Sequence, residues 1–347
     1  MQTRATQNRR ILFFCACSLL LFASLAATAA KLKQVALIDL PGNPGFNQVA
    51  LANGEVIITR PEANTVEIFN PVKRRVVARI SQVDSPRGVA VDDANFRVYI
   101  ALAGSNRIAV VNSKNWQVEK LVPVSHPPEK LLWVGKDSSL YVTSLRGRCI
   151  TTVDPESGEE TATVDVEALP QDMLYDGPRQ KLVVSLQDRN EIALLDHSNK
   201  ITGTFKLAGS EPTGLALDEA KRRLYVAVRY AVLILNADTG AEISRIAAPG
   251  GTDTVVLDSA NSLLYAAAGD GSVIAIDLAK GVADHELPTD VKGYTIAYDP
   301  NRKMLFLPGG REGRAKLVIL RPVGVGEASA PQTAANPTGA GQTALKK

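Results

Sequence analysis

The chain has 347 residues, with 39 Lys plus Arg against 36 Asp plus Glu. Three of the basic residues and none of the acidic ones fall in the first 30 positions, so the remainder is formally neutral and lacks the basic excess of a nucleic-acid surface. Of the three cysteines, Cys15 and Cys17 lie in that leading stretch, and Cys149 alone cannot form an intramolecular disulfide.

In chain order, residues 1–30 read as an export signal. Arg4, Arg9 and Arg10 form a basic head, Ile11 to Leu25 an apolar core, and Ala27-Thr28-Ala29 a small-residue cleavage site. The alternative is an uncleaved anchor, because Ile11 to Ala30 is uncharged and just long enough to span a bilayer. Cleavage near Ala30 or Lys31 is the expectation, by the general secretory route, with a periplasmic or secreted mature protein. Neither Cys15 nor Cys17 has a lipoprotein context. Cys149 heads a β-run and reads as a small buried apolar residue.

From Arg87 to Asn112 the chain reads RGVAVDDANFRVYIALAGSNRIAVVN. Val89–Val91, Val98–Ile100 and Ile108–Val111 are short runs rich in β-branched side chains, separated by Asp/Asn/Ser/Gly turns. Runs this short are strands rather than helices. The second run begins at Val56, Val98, Leu140, Leu182, Leu224, Leu264 and Leu305, in steps of 40 to 42. The third begins at Val66, Ile108, Ile150, Ile192, Val232, Val273 and Leu317, in steps of 40 to 44. A fourth run follows in each copy, as in Arg75–Ile80. Four short strands at this period describe an all-β, seven-bladed β-propeller with four-stranded antiparallel blades.

Lys33 to Leu40 (KQVALIDL) precedes any complete copy and matches a fourth strand, whereas the last copy, Thr295 to Arg321, has three. The N-terminal strand is therefore expected to complete the last blade and close the ring, removing an open edge. Blade 1 is expected over 47–81, blade 2 over 87–124 and blade 7 over 293–321 plus 33–40, within a domain spanning 31–321. Residues 322–347 are rich in Ala, Gly, Pro and Thr with few bulky side chains, which predicts a disordered tail.

The second and third strands read IITRPEANTVEIFN, YIALAGSNRIAVVN, YVTSLRGRCITTVD and YVAVRYAVLILN. Over about residues 34–321 they resemble the YVTN family of β-propeller repeats. The resemblance implies the propeller fold. It leaves function broad, because such repeats occur in surface-layer and periplasmic proteins of varied role. A periplasmic type that binds single-stranded DNA is similar in length, signal and blade count. Asn64 and Asn106 hold the turn amide between the second and third strands, but Arg148 stands there in blade 3, and blade 5 is two residues shorter at that loop.

Ligands of propellers meet the face where the fourth-to-first and second-to-third strand loops gather. Two residues before each first strand's apolar run stand Asn47, Arg87, Glu129, Gln171, Thr213, Asp253 and Tyr294, with Lys130, Asp172 and Lys292 as neighbours. Seven residue types at one ring position read either as loop ends that drift freely or as an asymmetric polar mouth for a specific ligand. The second-to-third loops carry Arg60, Arg107, Arg146, Arg148, Arg189, Arg229, Arg311 and Arg314 against Glu62, Asp188, Glu191, Asp270 and Glu312. These arginines read as solvated charge or as an anion site, for which Arg60, Arg146, Arg148 and Arg229 are the candidates. Stacking on bases would draw on Phe46, Tyr230 and Tyr294 alone.

Asp92, Asp176, Asp218, Asp258 and Asp299 recur at the ends of first strands and read as turn caps, one per blade, as do Asp154, Asp196 and Asp277 after third strands. His126, His197 and His285 sit at non-equivalent positions and make no ligand pair. No haem-attachment, nucleophile-elbow or phosphate-loop motif occurs in the sequence. The expected function is a non-catalytic exported binding or scaffolding module, monomeric, without cofactor or resident metal. Its partner would be a protein, an envelope polymer or an anionic ligand, with no membrane span left after signal cleavage. The alternatives are a metal-dependent lactonase-like or hydrolase-like enzyme using Asn47, Glu129 and Asp253, and a single-stranded-DNA binder.

Overall fold

The computed structural model describes residues 31–323; the signal expected at 1–30 lies outside them, as does the tail expected at 322–347 except for Pro322 and Val323, which extend the last strand instead. The described chain folds into seven four-stranded antiparallel sheets, six of them formed from four consecutive strands. The seventh contains Ala297–Asp299, Met304–Arg311 and Arg314–Val323, and its outer strand is Lys31–Asp39. Lys31 pairs with Val323 and Asp39 with Lys316, so the first strand closes the ring in the register expected of a fourth strand. The molecule is a seven-bladed β-propeller.

The strand grammar follows from burial. Second and third strands lie between two neighbouring blades, so both faces are apolar: Val56, Ile57 and Ile58 are all fully buried, as are Val98, Tyr99 and Ile100. Outer strands have one wet face and alternate, as in Glu159–Asp165. The core is divided. Among the described residues the buried apolar side chains fall into seven clusters, one at each blade interface. Between blades 1 and 2, for example, Ile57, Val66 and Ile68 pack against Val89, Val98 and Ile100.

Two backbone features repeat without a matching residue type. In blades 1 to 6 the third-to-fourth strand ladder shifts register at one equivalent place, such as Ile68/Phe69, Val110/Val111 and Thr152/Val153. Two residues ahead of each second-strand marker the backbone is left-handed, at Gly54, Phe96, Ser138, Gln180, Arg222, Ser262 and Lys303, with φ from 49° to 76°.

Around the central channel, in five of the seven blades, the residue just before the first strand's apolar run ties that strand to the next blade. Gln48 Oε1 accepts from Val89 N (3.1 Å), Asp172 Oδ2 from Leu215 N (2.9 Å) and Thr295 Oγ1 from Val49 N (3.3 Å). Where that position is glycine, backbone meets backbone: Gly88 N donates to Glu129 O and Gly214 N to Asp253 O, both at 2.8 Å. Lys130 and Thr254, at the same position in blades 3 and 6, make no such bond among the described residues.

The approach at the two glycines leaves no room for a side chain. A Cβ on Gly214 would stand 2.3 Å from Asp253 O, and one on Gly88 2.4 Å from Glu129 O. Gly214→Ala is therefore expected to destabilise the protein by about 1–3 kcal/mol. Gly203→Ala, whose new Cβ meets nothing within 4 Å, should be neutral or stabilising by up to about 1 kcal/mol. Chemical denaturation of the two variants beside wild type checks both.

Candidate functional site at the channel mouth

Each fourth-to-first loop carries the chain from the rim back to the channel, placing the aligned position at the mouth. Asn47, Glu129, Gln171, Thr213, Asp253 and Tyr294 line one cavity of about 480 Å³, together with Gln48, Lys130, Asp172 and Thr295. Arg87, the seventh aligned residue, stands behind Glu129, its Nη1 donating to Glu129 Oε1 at 3.1 Å. The structure thus brings Asn47, Arg87, Glu129, Lys130, Gln171, Asp172, Asp253 and Tyr294 to one place. Gln48 and Thr295 also reach it, one residue further along; aligning that second position around the ring would have found them.

The polar groups divide into occupied and free. Glu129 is buried, and its Oε1 also accepts from Asn47 Nδ2 at 3.3 Å. Asp172 accepts from Met173 N and Leu215 N, both at 2.9 Å. Gln171 Nε2 donates to Gln187 Oε1 at 2.8 Å, and Tyr294 Oη to Phe46 O at 2.8 Å. Asn47 Oδ1 and Arg87 Nε are buried with no hydrogen-bond partner. Lys130 faces Asp172 and Asp253, yet among the described residues its ammonium has no hydrogen bond and no carboxylate within 4.0 Å.

Burial sets the electrostatics. Protein surrounds Asp172, although its side chain keeps partial access to the channel, and loss of solvent pushes its carboxyl up; Lys130 and the two backbone donors pull the other way. Asp253 is also pushed up by desolvation. Lys130 opposes that rise, Asp172 adds to it and Thr213 opposes it. The Tyr294 phenol is pushed up to about 12 by burial, then by Asp253 and Glu129, against Arg87. Two further hollows flank the mouth and share Tyr294 with it. One is lined by Phe46, Pro44 and Lys292, the other by Arg229, Tyr230 and Glu211.

The loop arginines do not form one anion site. Arg60 is 2% exposed; its guanidinium donates to Pro41 O and Asn43 O and pairs with buried Glu67 at 3.3 Å. It therefore clasps the segment entering blade 1 and offers no charge to solvent. Arg148 donates to Glu167 O (2.8 Å) and Asp188 Oδ2 (2.6 Å), and Arg229 pairs with Glu211 (3.1 Å). Arg146 is exposed. The side chain of Arg148 ties down the fourth-to-first loop much as Asn64 Oδ1 does by accepting from Ser85 N at 2.8 Å.

On the opposite face the first-strand aspartates cap their turns. Asp92 accepts from Asn95 N, Asp176 from Arg179 N, Asp218 from Lys221 N, Asp258 from Asn261 N and Asp299 from Asn301 N. Asp154, Asp196 and Asp277 cap in the same way. Cys149 is buried, with its thiol pushed up by desolvation. Among the described residues no three His, Cys, Asp or Glu side chains are grouped to share a metal ion. Nor is any described helix long and apolar enough to cross a membrane.

No protein-family model matches the chain. It is similar to Antigen Lp49 of Leptospira interrogans serogroup Icterohaemorrhagiae serovar copenhageni (strain Fiocruz L1-130), at 24% identity over 287 residues. The match covers 76% of this chain and 61% of that protein, so the chain spans about three fifths of its relative's length.

Because the folded-state carboxyl of Asp253 lies above the ordinary 3.8, its ionisation opposes folding. The cost is absent below pH 3.8 and complete once pH exceeds the raised value. Asp253→Asn should therefore melt higher than wild type at neutral pH, and the advantage should shrink as pH falls toward 3.8. Melting curves of both proteins across that range check the sign.

Proposed function

We propose that this chain is an exported, non-catalytic propeller of the YVTN repeat type that binds a ligand at its channel mouth in the cell envelope. The observation that carries the reading is the mouth itself. A position that the repeat aligns on every blade holds seven different residue types. Six of those side chains converge on one cavity, among buried polar atoms that the protein leaves without partners. A polar group buried without a partner is costly, and a ligand that supplied the partner would offset that cost. The leader read at residues 1–30 and a relative named as an antigen support an envelope or secreted location.

The two other readings have less support. A metal-dependent hydrolase using Asn47, Glu129 and Asp253 would compete with Arg87 and Asn47 for the Glu129 carboxylate, and among the described residues no three His, Cys, Asp or Glu side chains are grouped there. A single-stranded-DNA binder would need free arginines beside aromatics. Arg60 is buried, Arg148 is paired, Arg229 lies beside Tyr230 but is paired with Glu211, and the exposed Arg146 stands over no ring among the described residues.

The test uses the full chain and a plugged variant, Thr213→Trp, which fills the mouth. Each is incubated with the small-molecule fraction of an envelope extract and weighed by native mass spectrometry. Wild type is expected to retain an adduct that the plugged variant loses, with the ligand recovered unchanged. The same adduct on both proteins would move the site elsewhere, and a chemically altered ligand would make the protein an enzyme. Melting in EDTA should match melting without it; a lower value would instead support a resident metal.

A further inference from the structure

The groups left free at the mouth have a definite chemistry. Glu129 is held by Arg87 and Asn47, and Asp172 by two backbone N–H groups. The Lys130 ammonium on one side and the Asp253 carboxylate on another each lack a charge partner within 4.0 Å among the described residues. The buried Asn47 Oδ1 is an unused acceptor beside them, and Arg87 Nε, behind Glu129 and outside the cavity lining, an unused donor.

A cation facing two carboxyls, of which Asp172 already accepts from two backbone N–H groups, near enough to influence each other but not paired, fits neither a simple anion nor a neutral sugar. An anion would satisfy Lys130 and repel Asp253; a sugar would leave both charges desolvated and unpaired. The cavity of about 480 Å³ has the size of a small-molecule site. Its walls include Leu51, Val256, Ile296 and Tyr298 for an apolar portion.

We propose that the mouth takes a small zwitterion, a molecule bearing both a carboxylate and an ammonium, as a free amino acid or a short peptide does. Lys130 holds the carboxylate, and Asp253 holds the ammonium. Lys130 is free for this because it replaces, in blade 3, the residue that in blades 1, 4 and 7 is spent on tying neighbouring blades together. The proposal rests on the mouth being a binding site at all.

The experiment titrates the full chain with the common L-amino acids one at a time, and with short dipeptides, by calorimetry and thermal shift. The best binder is then compared with its N-acetyl and carboxamide forms, with acetate and with glucose. The expected result is a binder that weakens about tenfold or more when either charge is removed. Lys130→Met and Asp253→Asn should each show a similar loss, while the melting curve of each ligand-free variant confirms that it is folded. Preference for free amino acids over dipeptides, or the reverse, identifies the source. Binding of acetate or glucose as tight as that of any zwitterion would overturn the proposal. So would no binding by any zwitterion. If wild type still retains the extract adduct and the plugged variant does not, the zwitterion is wrong and the binding site stands. If neither experiment shows a ligand, both readings fall.

Discussion

Everything in this molecule depends on one strand pairing, that of Lys31–Asp39 with Arg314–Val323. The core is seven wedges, each made by two adjacent blades, so a blade without a neighbour on one side leaves half its apolar surface wet. An open arc of seven sheets would have two such faces; the closed ring has none. The closing strand contributes Leu32 to the wedge between blades 6 and 7, and Leu40 just beyond it lies in the wedge between blades 7 and 1. Arg60 then fixes the following turn by donating to the carbonyls of Pro41 and Asn43, with Glu67 balancing its charge. That buried pair is best understood as part of the closure. Glu67 is shared with Arg79 at 3.0 Å, so it is Arg60 that would be an uncompensated interior charge without its partner.

The same ring explains why one face can specialise. Second and third strands must be apolar on both sides, and the turns of the opposite face repeat the same aspartate cap. At the mouth, inter-blade bonds in five of the seven blades already tie the backbone. The side chains there need only avoid the channel axis, and the repeat places little demand on them. The departures at this face are a lysine where other blades use Gln, Asp, Thr or Gly, and seven residue types at the position before it. Local inconsistency within a consistent fold is where a binding site is expected.

Much of this was legible in the chain, because periodicity reports burial directly. Val, Ile and Leu recurring in two registers gave the blades, the closing strand and the aligned mouth residues. What stayed hidden has a common cause: the feature resides in the backbone or in a partner distant in sequence. Phe96, Gln180 and Arg222 occupy a left-handed turn position that short polar residues or glycine ordinarily take, so no residue pattern announces it. The third-to-fourth strand bulge is likewise invisible. Arg60 looked like a loop cation because nothing nearby in sequence reveals that Pro41, Asn43 and Glu67 enclose it. Gln48 and Thr295 sit one place from the aligned position, and their role is clear only once Val89 and Val49 of the adjoining blades are beside them.

The closing register has a geometric consequence. Lys31 lies opposite Val323, and the strand between Lys31 and Asp39 runs toward the mouth. Both ends of the described chain therefore stand side by side at the rim of blade 7, on the face away from the cavity. A tether attached at either point would hold the ring by its back and turn the mouth outward, leaving it open to whatever diffuses past. The two ends are also close enough that a short linker could join them and the chain be reopened at another blade's outer loop, with the channel surface preserved.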